Sequence, residues 1–151
     1  MALSRAQRYI TRGGGIKRNS YPVETSEQIY YGAIVGLDRN TGRIQNLDEN
    51  SNLLDFIGVA IPENNSVTGI SAGTVECPVD ESGLILEQVS VTGVAAQGSV
   101  GELVYATDEN TFTLTATSNR GAIGRVVRWY SGTTCDVELH TPMSYRAQED
   151  A

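Results

Sequence analysis

Ile29-Tyr30-Tyr31-Gly32-Ala33-Ile34-Val35 carries no charge, gives way to the polar run Asp38-Arg39-Asn40-Thr41-Gly42, and resumes as Arg43-Ile44-Gln45. The first segment is rich in aromatic and β-branched residues, the types that fit a pleated, half-buried surface. Asn and Gly in the middle run tolerate the positive φ of a tight turn. The spacing therefore predicts a β-hairpin. Working outward, the hydrophobic period from about residue 27 onward is two, not 3.6, and short apolar clusters are parted by turn residues. Residues 56–61 read as a strand stopped by Pro62-Glu63-Asn64-Asn65. Further strands fit residues 73–79, 84–86, 89–95, 102–106, 111–117, 122–130 and 134–140. Turns recur about every 8 to 12 residues, as in a sandwich or barrel. Outside the first residues no long window carries a helical stripe. The expectation is an all-β chain with a single small barrel or sandwich.

Three pairs of segments echo one another in the same order. Gly32-Ala33-Ile34-Val35 with Asp38, Asn40 and Thr41 resembles Gly101-Glu102-Leu103-Val104 with Asp108, Asn110 and Thr111. Ile57-Gly58-Val59-Ala60 resembles Ile123-Gly124-Arg125-Val126, and Gly73-Thr74 leading to Cys77 and Val79 resembles Gly132-Thr133 leading to Cys135 and Val137. The offsets are 69, 66 and 59 residues. This suggests one β-unit present twice, over residues 29–79 and 98–139; strand–turn–strand sequences that merely look alike by composition are the alternative.

With 151 residues the chain has room for one ordinary domain. Its net charge of −7 is unevenly spread. Residues 1–20 hold Arg5, Arg8, Arg12, Lys17 and Arg18 and no acid, so that segment carries +5 and the rest −12. An acidic body repels nucleic-acid backbone and anionic membrane, so neither is expected as a partner. No apolar run is long enough for a membrane span. Cys77 and Cys135 are too few for a disulfide scaffold or a structural zinc site, and small buried roles suit them better. The first residues lack the apolar core of a secretory signal. Leu3, Ala6 and Ile10 fall at helical spacing, with Arg5, Arg8 and Arg12 on another face. Gly13-Gly14-Gly15 then makes a flexible joint rather than a phosphate loop, since no Gly-Lys-Ser/Thr follows. Tyr21-Pro22-Val23 reads as an extended lead-in to the body. The division expected is an extended basic arm over 1–24, a β domain over 25–142 and a tail over 143–151.

Catalytic chemistry is hard to assemble from these residues. His140 is the only histidine, no Gly-x-Ser-x-Gly elbow accompanies it, and a lone strand-end histidine is usually a surface residue. Asp48-Glu49, Asp80-Glu81 and Asp108-Glu109 lie in turn-like sequence, where carboxylates are solvated. Asp48, Asn50 and Asn52 lack the Gly and Glu of a calcium loop. Tyr30-Tyr31 and Trp129-Tyr130 should each put one ring in the core and one at the surface. The expectation is no enzyme, no catalytic residue, no metal and no cofactor.

The order of these short motifs is itself informative. Gly32-Ala33-Ile34-Val35, Ile57-Gly58-Val59-Ala60, Ala72-Gly73-Thr74-Val75 and Val91-Thr92-Gly93-Val94-Ala95 are followed by Val100-Gly101-Glu102-Leu103-Val104-Tyr105, Ile123-Gly124-Arg125-Val126 and Val137-Glu138-Leu139. The series, over roughly residues 25–140, resembles the capsid cement, or head decoration, proteins of tailed bacteriophages. The arm is not part of that common pattern. The resemblance implies a β-tulip or jelly-roll-like domain and a structural virion protein. It implies a homotrimer on the outer surface of an icosahedral head, bound where major capsid protein subunits meet and stabilising it against internal pressure. Neighbouring cement subunits would be further partners. Arg5, Arg8, Tyr9, Ile10, Arg12, Lys17 and Arg18 are then the residues expected to grip capsid or neighbour, because the arginine fork pairs bidentately with carboxylates. A tail, neck or baseplate component with a similar β domain is the alternative. A phosphate-binding or enzymatic role is permitted by the arm and opposed by the body.

Overall fold

A computed structural model describes residues 17–48, 51, 54–116 and 121–149. Twelve strands and one helix follow in chain order. They are β1 (Arg18–Pro22), β2 (Gln28–Tyr30), β3 (Ile34–Asp38), β4 (Arg43–Asn46), β5 (Leu54–Ala60), β6 (Ser66–Thr68), β7 (Glu76–Asp80), β8 (Ile85–Thr92), β9 (Leu103–Ala106), β10 (Phe112–Thr113), β11 (Gly124–Ser131), β12 (Thr134–Leu139) and α1 (Pro142–Glu149). The fold is all-β, as the period-two pattern requires. The predicted hairpin is β3–β4, with Leu37 opposite Ile44 and Asp38 opposite Arg43. Its turn is held by the Asp38 carboxylate, which accepts the Asn40 N–H at 2.8 Å. In the echoing segment the Asp108 carboxylate accepts the Asn110 N–H at 2.9 Å.

Of the three sheets, two share one register plan, and in the third β2 pairs with β6. The first half is a five-stranded sheet in the order β1-β7-β5-β3-β4, and the second is a closed barrel in the order β8-β12-β11-β9-β10. Strand for strand the registers agree. Val35 faces Gly58 and Val104 faces Gly124; Ile34 faces Val59 and Leu103 faces Arg125. Ala60 faces Val79 and Val126 faces Val137. Tyr21 faces Cys77 and Val89 faces Cys135. In the barrel β10 meets β8 in parallel, with Phe112 opposite Val91. In the sheet the same place holds a single parallel bridge between Ile44 and Val23. Extra residues in β11, between Val126 and Arg128 and between Trp129 and Ser131, and in β8, between Leu86 and Val89, add twist and curvature to the second half, which favours closure.

Gly58 and Gly124 occupy equivalent points where strands approach closely. A Cβ on Gly58 would overlap the Asp80 carbonyl oxygen, and one on Gly124 the Glu138 carbonyl oxygen. The echoed glycines are thus fixed by a backbone contact that only glycine admits.

Two apolar cores result. Val23, Val35, Ile44, Ile57, Ala60, Cys77 and Val79 fill the first half. The second core fills the barrel and extends to the outer face of the first half through Ile34, Leu47, Leu54, Phe56 and Val59. Alternation along β3, together with an extra residue at Ile57 between the pairs Gly36–Phe56 and Val35–Gly58, puts Val35, Ile57 and Ala60 in one core and Ile34, Phe56 and Val59 in the other. Every residue of β5 is buried, because it is covered on both faces. Five side chains at about 2 kcal/mol each give the seam some 10 kcal/mol, comparable to the net stability of a whole domain.

Both ends of the chain differ from the expected division. Residues 18–22, assigned to the arm, are strand β1, and Val23 is fully buried. Residues 143–149, assigned to a tail, belong to α1, whose Tyr145 is fully buried against the Phe56 ring, centroids 5.7 Å apart. Arg146 Nη1 and Arg39 Nε both reach Asp55 Oδ2 at 2.8 Å. The helix starts on a reciprocal cap: Ser144 N–H donates to Thr141 Oγ1 and Thr141 N–H to Ser144 Oγ. One apolar anchor in eight residues leaves no periodic stripe, so the sequence pattern does not announce the helix.

Candidate functional site

Of the residues expected to grip a partner, Arg5, Arg8, Tyr9, Ile10 and Arg12 lie outside the described residues. Lys17 and Arg18 are placed at the point where the arm joins the body. The Lys17 carbonyl accepts the Glu81 N–H at 2.7 Å, and Arg18 stands opposite Asp80 at the start of β1. Both side chains are exposed, as are Asn19 and Ser20. The arm therefore leaves from the end strand of the first half, anchored by Tyr21. That phenol donates to Glu81 Oε2, and burial and then the Glu81 carboxylate push it up to about 12.

The tertiary fold brings together acids that are distant in sequence. Glu27, Asp48, Asp108 and Glu109 line a groove of about 410 Å³ between the halves. These carboxylates are engaged locally: Glu27 accepts the Asn46 N–H at 2.9 Å, and Asp108 holds its own turn. Among the described residues no group of His, Cys, Asp and Glu is arranged to hold a metal ion.

The groups reviewed for chemistry are built into the fold. Cys77 and Cys135 sit at equivalent places in separate cores, and burial pushes their thiols up to about 12 and about 11. His140 is half-buried rather than a surface residue. Its Nε2 is enclosed without a hydrogen-bond partner, and burial, then the Arg125 charge, lowers its pKa. Trp129 packs against the barrel core and donates its Nε1–H to the Gly132 carbonyl. Tyr130, its neighbour, donates to Asp136 and lies 4.7 Å under the Arg128 guanidinium carbon. These contacts hold the β11–β12 hairpin.

The fold itself has a known counterpart. It is similar to a chain in a solved phage capsid. That structure, "The capsid of Myoviridae Phage XM1", aligns with a TM-score of 0.53 and 15% identity, over 93% of this chain and 94% of the other. The two chains are thus of nearly equal length, and the likeness extends through both halves. No family model and no curated protein sequence matches the chain.

Among the described residues the exposed large apolar side chains are Ile70, Val100, Leu103 and Met143. Leu103 begins β9 opposite Arg125 of β11, which is also exposed, and Val100 lies in the turn just before that strand. Sequence reasoning missed the exposed Leu103, because an apolar residue at the start of a strand reads as core. The one available signal was Arg125, which stands where the first half has the buried Val59.

Proposed function

We propose that this chain is a structural virion protein of a tailed phage, a capsid cement or decoration protein. In this reading it binds the outside of an icosahedral head where major capsid protein subunits meet, and it holds them against internal pressure. The observation that carries the reading is the near full-length likeness to a chain of a solved phage capsid. Motif order in the sequence supports the finer cement assignment. Each copy needs an interface of about 1,600 Å² to bridge its neighbours, and repetition over the shell adds avidity. A homotrimer at three-fold positions fits that use.

The basic arm supplies the grip. It emerges beside exposed Lys17 and Arg18 at the end strand of the first half. From there Arg5, Arg8 and Arg12, with Tyr9 and Ile10, extend to acidic capsid surface or to a neighbouring cement subunit. The chemistry is binding rather than catalysis.

The test is decoration of purified heads that lack cement. Full-length protein should bind at on the order of hundreds of copies per particle, more than a tail or neck site would allow. A chain starting at Lys17 keeps β1 and the buried Val23, so it should fold. It should bind at least about tenfold more weakly, with the difference shrinking at high salt. Failure of the full-length protein to bind heads overturns the assignment. Equal binding by the shortened chain overturns the role of the arm.

A further inference from the structure

Strand β1 ends its sheet with an open edge. The Lys17 carbonyl accepts the Glu81 N–H at 2.7 Å, and the Val23 N–H donates to the Val75 carbonyl at 2.9 Å. The odd-numbered residues of this stretch therefore bond to β7, and the N–H and C=O groups of Arg18 and Ser20 point the other way. Arg18, Asn19 and Ser20 are exposed, and the bridge to β4 comes only at Val23. The matching strand of the second half is treated differently. β8 carries an extra residue, a positive φ at Gln88 and the exposed Glu87, features that spoil an edge for pairing. β1 keeps an unbroken register and none of these. Beside its edge lies a groove of about 410 Å³ lined by Ser20, Pro62, Glu63, Val67, Glu76 and Pro78. Among the described residues no cation pairs with Glu63 or Glu76.

The geometry points to the chain's own arm as the strand that fills this edge: residues 8–12, outside the described residues, run antiparallel to β1 with Ile10 opposite Ser20. Sixteen residues precede Lys17 and join the body at the start of β1, so a segment that turns back runs along this edge. Residues 13–17 are then the turn, a length that hairpins use, and Gly13-Gly14-Gly15 accept its positive φ. Tyr9, Ile10 and Thr11 are of the types that favour strands. In this register Arg8 and Ile10 share the face of Ser20 and Pro22. Arg8 then points toward Glu76, which stands opposite Pro22, and Ile10 toward the apolar part of the groove. Tyr9 falls opposite Tyr21, a favourable cross-strand pair. The inference rests on the function proposed above for its use and not for its geometry. An arm held on its own body covers an edge that would otherwise recruit other chains, and it is released where capsid carboxylates compete for its arginines.

The test uses the full chain with no capsid present; the native cysteines are buried. Under mild oxidation Thr11→Cys/Asn19→Cys should close an intramolecular disulfide, read from the mass of the monomer. It should do so at least about tenfold faster than Ile10→Cys/Asn19→Cys, because strand geometry turns only the first pair toward each other. Trypsin gives a second reading. Cleavage after Arg8 and Arg12 should be at least about tenfold slower in the wild type than in Ser20→Pro, with cleavage after Arg5, beyond the strand, equal in both. That substitution removes the outward N–H and spares the bonds to β7. Glu76→Gln, at an exposed position, should speed the same two cleavages by a smaller factor. Equal disulfide rates for the two pairs, or equal cleavage in the wild type and both variants, overturns the proposal. Protein that decorates heads yet fails both readings loses this inference and keeps the assigned function; a docked arm on protein that never binds heads does the reverse.

Discussion

The first half and the second half share strand order and register but treat their outer faces in opposite ways. Ile34 and Val59 lie face to face and fully buried, whereas Leu103 and Arg125 lie face to face and exposed. The links differ too. Residues 132–133 join β11 to β12 in a tight turn, while residues 61–75 join β5 to β7 and include β6, which pairs with β2. The lesson is that one backbone plan sets which residues face each other. What covers the outside is set by the rest of the chain.

The comparison can be broken first at its glycines. Gly58→Ala should cost about 3 kcal/mol or more, because the added carbon overlaps a strand carbonyl and Gly58 also has φ of +154°. Gly124→Ala meets the same carbonyl contact without the positive φ, so it should be damaging but less so. Denaturant midpoints of the two variants check this. A neutral effect at either site would refute the claim that the echoed glycines do the same work.

The outer faces come next. Ile34→Asp places a charge in the seam and should destabilise by about 3 kcal/mol or more, while Leu103→Asp should shift stability by no more than about 0.5 kcal/mol. Thermal melts of both decide it. Similar losses would mean that the second face is covered within the single chain.

The smallest effect is in pH. His140 stands where the first half has Ser82. Its pKa is lowered on folding from an ordinary 6.5, so the unfolded chain takes up the proton first as pH falls. Stability from this group is present above about pH 6.5 and is lost below it. Urea unfolding at pH 7 and pH 5.5 should show a drop, reduced in His140→Ser. An equal drop in the variant would assign the loss to other groups.

Much of the fold was legible in the sequence. Period-two patterning gave the strands, and Asp38 with Asn40 and Asp108 with Asn110 marked two matching turns. The echo was legible because glycine and turn chemistry are local demands. The end-strand closure was not, since Val23 with Ile44 and Val91 with Phe112 meet through register rather than neighbourhood. Nor was α1, which rests on the single anchor Tyr145. Of the candidate site, the basic arm was legible from charge alone. The exposed Leu103 was hidden, because hydrophobicity does not say whether a strand face has been given a cover.

The sequence by itself determined the class of fold, the duplicated order of its motifs and the separation of a +5 segment from a −12 remainder. These depend on residue type and spacing, which the chain carries before it folds. Only the tertiary structure decided that Arg18 begins a strand and that one outer face is buried and its twin exposed. Those depend on which surfaces remain after the two halves have packed, and no local pattern encodes a remainder.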